Sequence, residues 1–213
     1  MVQILQASNI SLGDLVQQFG LVMTREAQFF SEWVEASAEI SDEEIRTLER
    51  VRSNFENLLM TSPLPEAAVK MVILSPLLDL AGFYQPPFQV RTEVGTQIRS
   101  SEADGVVVTG QIDVLVILNA LWAIAIESKT SRFSLTAAIA QSLSYLLACP
   151  QPECFGLITN GSDFVFLKLN RDKTPTYSTS RVFSLLAPGN ELIDVLRILK
   201  DLGNIVSQRR DRS

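Results

Sequence analysis

Two periodicities divide the chain. In residues 11–60 apolar positions recur at helical spacing. "SDEEIRTLERVRSNFENLLM" places Ile45, Leu48, Val51, Phe55 and Leu58 on one stripe. Ser41 with Glu44 three residues later forms a capping-box signature at its start. "TREAQFFSEWVEAS" predicts a shorter amphipathic helix. "TSPLP", 61–65, punctuates the chain, and a helix is expected over 66–82, stopped near Gly82. From there the pattern changes. "FQVRTEV" alternates and predicts a strand, and "GQIDVLVIL" with "LWAIAIESK" predicts a hairpin around Asn119–Ala120. "SLTAAIAQSLSYLLA", 134–148, reads as a helix with Ser134 as its cap. "FGLITNGSDFVFLKL" predicts a second hairpin turning at Asn160–Gly161. "TYSTSRVFSLL" follows as a further strand, and residues 189–208 as a closing helix.

The order helix, strand, strand, strand, helix, strand implies an α/β chain. Its expected plan is a central mixed sheet flanked by helices, over residues 62–213, with an N-terminal helical extension, 1–61. The helical faces of that extension are expected to pack on the main domain or on a second subunit, which admits a homodimer.

One stretch breaks the hydrophobic logic. "IAIESK", 124–129, begins as a core strand and ends in Glu127, Ser128 and Lys129. Residues two apart on a strand point the same way, so Glu127 and Lys129 project together beside Ala123 and Ala125. Burying charge is costly unless it is paired or binds a metal. One reading is an ion pair at a strand end; the other is a metal and water site. Asp113, in the first hairpin arm, supplies a second carboxylate. Two carboxylates can hold Mg²⁺ or Mn²⁺, and a nearby lysine can orient a metal-bound water for attack on a phosphodiester. This demands a particular register. A strict two-residue turn pairs Leu118 with Leu121 and therefore Asp113 with Ile126, which separates the carboxylates onto opposite faces. A metal site requires a longer turn or a bulge in the hairpin.

Composition narrows the chemistry. The 213 residues contain no histidine, which excludes Ser-His-Asp and Cys-His catalysis. Two cysteines, Cys149 and Cys154, are too few for a four-ligand zinc site without histidine and are expected to be reduced and structural. Neither a phosphate loop nor a dinucleotide fingerprint occurs. The start, "MVQILQASNISLG", lacks a signal-peptide pattern, and no run of about 18 apolar residues occurs, so a cytoplasmic chain without a membrane partner is expected. Net charge is −6, yet residues 1–66 hold 11 acids and 4 bases while residues 67–213 hold 13 acids and 14 bases. DNA would therefore meet the surface around Lys129 and Arg132, away from the acidic helices.

At these residues the chain resembles the PD-(D/E)xK nuclease superfamily, of restriction endonuclease-like fold. "GQID" followed by "IAIESK" sets Asp113, Glu127 and Lys129 where that superfamily has its two acids and its lysine, with Ile112 in place of the usual proline. Gln141 and Tyr145 form a "QxxxY" pattern on the next helix. It is similar to that of type I restriction R subunits and RecB-like exonucleases. "PEAAVKMVILSPLLDLAGF" and "FGLITNG" resemble parts of the type I R-subunit N-terminal nuclease domain, so the likeness spans about 62–170.

The resemblance implies a Mg²⁺-dependent DNA endonuclease in restriction, repair or recombination. Asp113 and Glu127 would be its metal ligands, with Lys129 and Gln141 as further catalytic residues. No translocase follows, so a separate motor or specificity subunit is an expected partner. Tyr145 reads equally as packing. Glu66, at a helix start, and Glu93, on a strand, are additional candidate acids whose simpler readings are a dipole-favoured carboxylate and a solvated one. Two other functions compete: a nuclease fold used as a non-cleaving binding or assembly module, and an α/β interaction protein using its acidic helical arm.

Overall fold

The run Val114–Leu118 is apolar on both faces and buried throughout, so its strand must lie mid-sheet with helices above and below. The computed structural model bears this out and describes residues 3–100, 106–118 and 121–210. In chain order the elements are β1 (Gln3–Gln6), α1 (Leu12–Phe19), β2 (Val22–Met23), α2 (Asp42–Leu59), α3 (Glu66–Val69), α4 (Ser75–Leu80), β3 (Phe88–Arg99), β4 (Val106–Leu118), β5 (Leu121–Ser128), α5 (Leu135–Leu147), β6 (Glu153–Thr159), β7 (Asp163–Asn170), β8 (Thr176–Thr179), β9 (Phe183–Ser184) and α6 (Leu192–Arg210). A π turn, Lys70–Leu74, joins α3 to α4 into one continuous rod.

The strands form one mixed sheet in the order β1-β4-β5-β6-β7-β8-β2. β3 also pairs with β4, and β9 with β7. β3, β4 and β5 run antiparallel to their neighbours among themselves; β5 and β6 are parallel. One face carries α2, the α3–α4 rod and α6, with Phe55, Ile73, Leu77 and Leu196 fully buried. The other carries α1 and α5, with Leu15, Leu143 and Leu146 in its core. Each such side chain contributes about 1.5–3 kcal/mol by leaving water.

The N-terminal third is not purely helical. β1 adds to β4 in parallel, and β2 adds to β8. α2 keeps its predicted capping box and buries Leu48, Val51 and Phe55 in the shared core. Glu44 then reaches Lys200 on α6 at 2.5 Å.

The helix expected over "TREAQFFSEWVEAS" is absent: residues 24–37 form isolated turns. Tertiary contacts outweigh its periodicity. Phe30 stacks on Phe155 with centroids 6.2 Å apart, and Trp33 meets Phe183 edge-on at 6.1 Å. The strand expected over "TYSTSRVFSLL" is split into β8 and β9, because the Ser180 hydroxyl accepts the Phe166 N–H in place of a ladder bond. Ser134 stands at the N-cap of α5 but its side chain caps nothing. The hairpin at Asn160–Gly161 forms as expected, with Gly161 at φ 91°, a conformation that favours glycine.

Candidate functional site

The hairpin of β4 and β5 decides which side chains meet. Its turn residues, Asn119–Ala120, lie outside the described residues. Leu118 pairs with Leu121 and Ile117 with Trp122, the register of a tight turn. A bulge then intervenes, with Ala123 as the extra residue, and the pairs continue as Val116 with Ile124 and Val114 with Ile126. Continuing that register sets Asp113 opposite Glu127, on the same face. The required bulge is present, near the turn.

The end of β5 is also held from its other side. Glu127 and Ser128 pair with Ile158 and Thr159 of β6, and the Lys129 N–H donates to the Thr159 carbonyl at 2.8 Å. The Ser128 N–H and hydroxyl both donate to Asp113 Oδ2, at 2.7 and 3.0 Å. Glu127 is 2% exposed. Its Oε1 accepts from Lys129 Nζ, while its Oε2 has no hydrogen-bond partner among the described residues. Burial, and then the Asp113 charge, push the Glu127 carboxyl up to about 7 despite Lys129.

A residue that sequence reasoning passed over completes the cluster. Lys70 Nζ lies 2.8 Å from Glu66 Oε1, 3.0 Å from Asp113 Oδ1 and 3.5 Å from Glu93 Oε1. Burial alone would lower its pKa, but hydrogen bonds to Glu66 and Asp113 hold the ammonium protonated well above the usual lysine range. The available signal was the i,i+4 spacing of Glu66 and Lys70 on the predicted helix. Lys70 opens the π turn, a feature frequent at functional sites. Glu93 has φ 55°, in the left-handed region, and falls where the ladder between β3 and β4 skips a pair. Its carbonyl accepts from the Gln111 side chain at 3.0 Å. Glu66 and Glu93, secondary candidates by sequence, are thus brought to Asp113 through Lys70.

Gln141 and Tyr145 meet each other. The Gln141 amide donates to Tyr145 Oη at 2.7 Å. Tyr145 is buried; burial first, then the Glu127 charge, raise its hydroxyl to about 12. Gly110 makes room for it, since a Cβ there would stand 2.7 Å from the Tyr145 ring. Among the described residues no hydrogen bond ties Gln141 to either carboxylate, so its visible role is to hold Tyr145. Cys149 and Cys154 are free and buried.

The donor set suits a hard divalent ion: two carboxylates, one with an orphaned buried oxygen. Among the described residues no three acidic or thiol side chains are gathered as a ready-made cage. Mg²⁺ typically binds through one or two carboxylates and keeps its waters, so Asp113 and Glu127 fit it without such a cage.

No protein-family model matches the chain, and no curated protein matches it. Among solved structures it is similar to a fragment assigned to the HsdR subunit of a type I restriction enzyme from Vibrio vulnificus YJ016. Identity is 17% over 66% of this chain, with a TM-score of 0.39. The matched part spans 26% of that chain, about a quarter of its length. It is also similar to the structure of SSO0001, at 14% identity, over 85% of this chain and 87% of that one, with a TM-score of 0.25. Overlaps this loose do not establish a common fold. Among the described residues no helix is long and apolar enough to cross a membrane.

Proposed function

We propose that the chain is a Mg²⁺- or Mn²⁺-dependent DNA endonuclease with a restriction endonuclease-like core. One observation carries the reading. A bulge at Ala123 brings Asp113 opposite Glu127, at a strand end where a buried Glu127 oxygen has no partner among the described residues. Asp113 and Glu127 would hold the ion. When bound, it would neutralise charge on a phosphodiester and make its water a stronger nucleophile. Ser128 holds one Asp113 oxygen through two hydrogen bonds and so fixes the carboxylate's orientation. Lys129 is bound to one Glu127 oxygen, and its remaining N–H groups would orient a water or a phosphate oxygen. Exposed Arg132 and Phe133 follow it in the chain and offer a cation and a stacking ring to nucleic acid.

The test is incubation of the protein with supercoiled and single-stranded DNA in Mg²⁺, in Mn²⁺ and in chelator. Cleavage is expected with either metal, none in chelator, and none by Asp113→Asn or Glu127→Gln. A folded wild type that binds metal without cutting either DNA would overturn the enzymatic reading. It would favour the non-cleaving module instead, a reading supported by the ion pairs that Lys70 already makes with Glu66, Glu93 and Asp113.

A further inference from the structure

The acid cluster already contains a cation on a tether. The Lys70 ammonium touches carboxylates from three elements, α3, β3 and β4, as a bound ion would. Its pairing is uneven. It reaches Glu66, Glu93 and Asp113, whereas the ion pair of Glu127 is with Lys129. Lys70 therefore compensates one half of the cluster and leaves the orphaned Glu127 oxygen unserved. A divalent ion between Asp113 and Glu127 would serve both halves, but it would repel an ammonium held on the same Asp113 carboxylate.

We infer that Lys70 is a tethered counter-ion that holds Asp113 in the metal-free protein and is exchanged for the divalent ion, so that it sets the metal concentration at which the site fills. The inference rests on the reading of Asp113 and Glu127 as metal ligands. Three features make the exchange feasible. Asp113 Oδ2 is fixed by Ser128, so Lys70 competes at Oδ1 alone and its departure does not unmake the carboxylate's position. Lys70 retains Glu66, one helical turn away, and Glu93 as partners after leaving Asp113. A mostly apolar surface cavity of about 340 Å³, which Lys70 lines with Ala67, Met71, Tyr84 and Val90, leaves space for its aliphatic stem to shift while the ammonium stays on Glu66 and Glu93. The π turn carries Lys70 itself and the left-handed position carries Glu93, so two irregularities of the backbone belong to this contact.

The experiment is calorimetric titration with Mn²⁺ of wild type, Lys70→Met and Asp113→Asn. It is joined by NMR of isotope-labelled lysine side chains in the wild type during Mg²⁺ titration. Methionine keeps the aliphatic stem and removes the charge. Lys70→Met is expected to bind Mn²⁺ about tenfold more tightly, as removal of one nearby positive charge predicts. Asp113→Asn should not bind. Of the five lysine side-chain resonances, that of Lys70, assigned through its backbone connectivity in the wild type, should move as Mg²⁺ saturates the protein. Equal or weaker Mn²⁺ binding by Lys70→Met, beside a wild type that binds, would overturn the exchange and leave the metal site standing. A Lys70 resonance unmoved at Mg²⁺ saturation would do the same, and it decides the matter if the variant fails to fold. A wild type that binds no divalent ion would overturn both readings.

Discussion

Two clusters of partly buried charge lie along the sheet, and they are built to opposite plans. In the first, Glu32 and Glu153 surround Lys168 at 2.5 and 3.1 Å, and Glu153 also pairs with Arg209. Two acids face two bases, and Phe29 and Phe155 lay their rings near the Lys168 ammonium, each 5.7 Å away. In the second, Glu66, Glu93, Asp113 and Glu127 face, among the described residues, Lys70 and Lys129. Both contain a buried carboxylate oxygen without a hydrogen-bond partner among the described residues, Glu32 Oε2 and Glu127 Oε2, so an orphaned oxygen alone does not mark a site. The charge balance separates the two clusters. Burial acts on both carboxyls, yet Lys168 and Arg209 bring Glu153 below the usual carboxylate range, whereas Asp113 helps push Glu127 to about 7. A closed network stabilises the fold; a cluster with surplus negative charge is stable only at some expense, and gains from a cation.

The largest effect is expected in the closed network. Lys168→Met leaves Glu32 and Glu153 facing each other with one partner fewer in a largely buried setting. It should lower unfolding free energy by about 3–5 kcal/mol in urea melts. A loss below about 1 kcal/mol would mean that the two clusters do not differ in kind.

A pH series sharpens the same contrast. The folded Glu153 carboxyl is more acidic than in the unfolded chain. Its contribution is therefore complete above the unfolded value and is lost as the pH falls through the folded one. Glu153→Gln should be less stable than wild type at neutral pH and show a shallower decline of stability in acid. Parallel declines for the two proteins would count against the network.

In the acid-rich cluster the expected sign reverses. Glu127→Gln keeps an oxygen for Lys129 and removes the charge that repels Asp113. In chelator it should be as stable as wild type or more so, by on the order of 1 kcal/mol. The wild type should gain melting temperature with Mg²⁺ and the variant should gain much less. Asp113→Asn is the poorer probe. Oδ1 takes Lys70 and Oδ2 takes two donors from Ser128, so an amide there must turn an N–H toward one of them. A Glu127→Gln protein that melts well below wild type in chelator would make "IAIESK" a structural ion pair.

How much of this was legible in the sequence depends on the range of the interaction involved. The capping box at Ser41 and Glu44 and the turn at Asn160–Gly161 are local, and both were readable. So was the need for a bulge, because side-chain alternation is strict and Asp113 and Glu127 could not otherwise share a face. What escaped depends on contacts distant in sequence. β1 is a strand because β4 offers it an edge, and residues 24–37 turn irregularly because Phe155 and Phe183 draw in their aromatic rings. Lys70 is not legible as a site residue because its partners come from three elements, a helix turn and two strands, two of them distant in sequence.

The smallest effect concerns Glu93. A non-glycine residue at φ 55° stores strain of order 1 kcal/mol, and such strain persists where the surroundings impose it. Here the Gln111 side chain holds the Glu93 carbonyl and Lys70 faces its carboxylate. Asparagine tolerates the left-handed region better than glutamate and is too short to extend a carboxylate toward Lys70. Glu93→Asn should therefore gain a few tenths of a kcal/mol in chelator from relieved backbone strain. The weak 3.5 Å contact that it loses is half-exposed and offsets little of this. If the strain serves only the fold, the Mg²⁺-induced rise in melting temperature will match that of wild type. If Glu93 is held there to retain Lys70 after it leaves Asp113, the variant will need more Mg²⁺ to reach the same rise, because the displaced ammonium has lost one of its two remaining partners. Melts of both proteins across a Mg²⁺ series separate these outcomes. A loss of stability in chelator would show instead that the acid cluster, like the closed network, depends on each of its ion pairs.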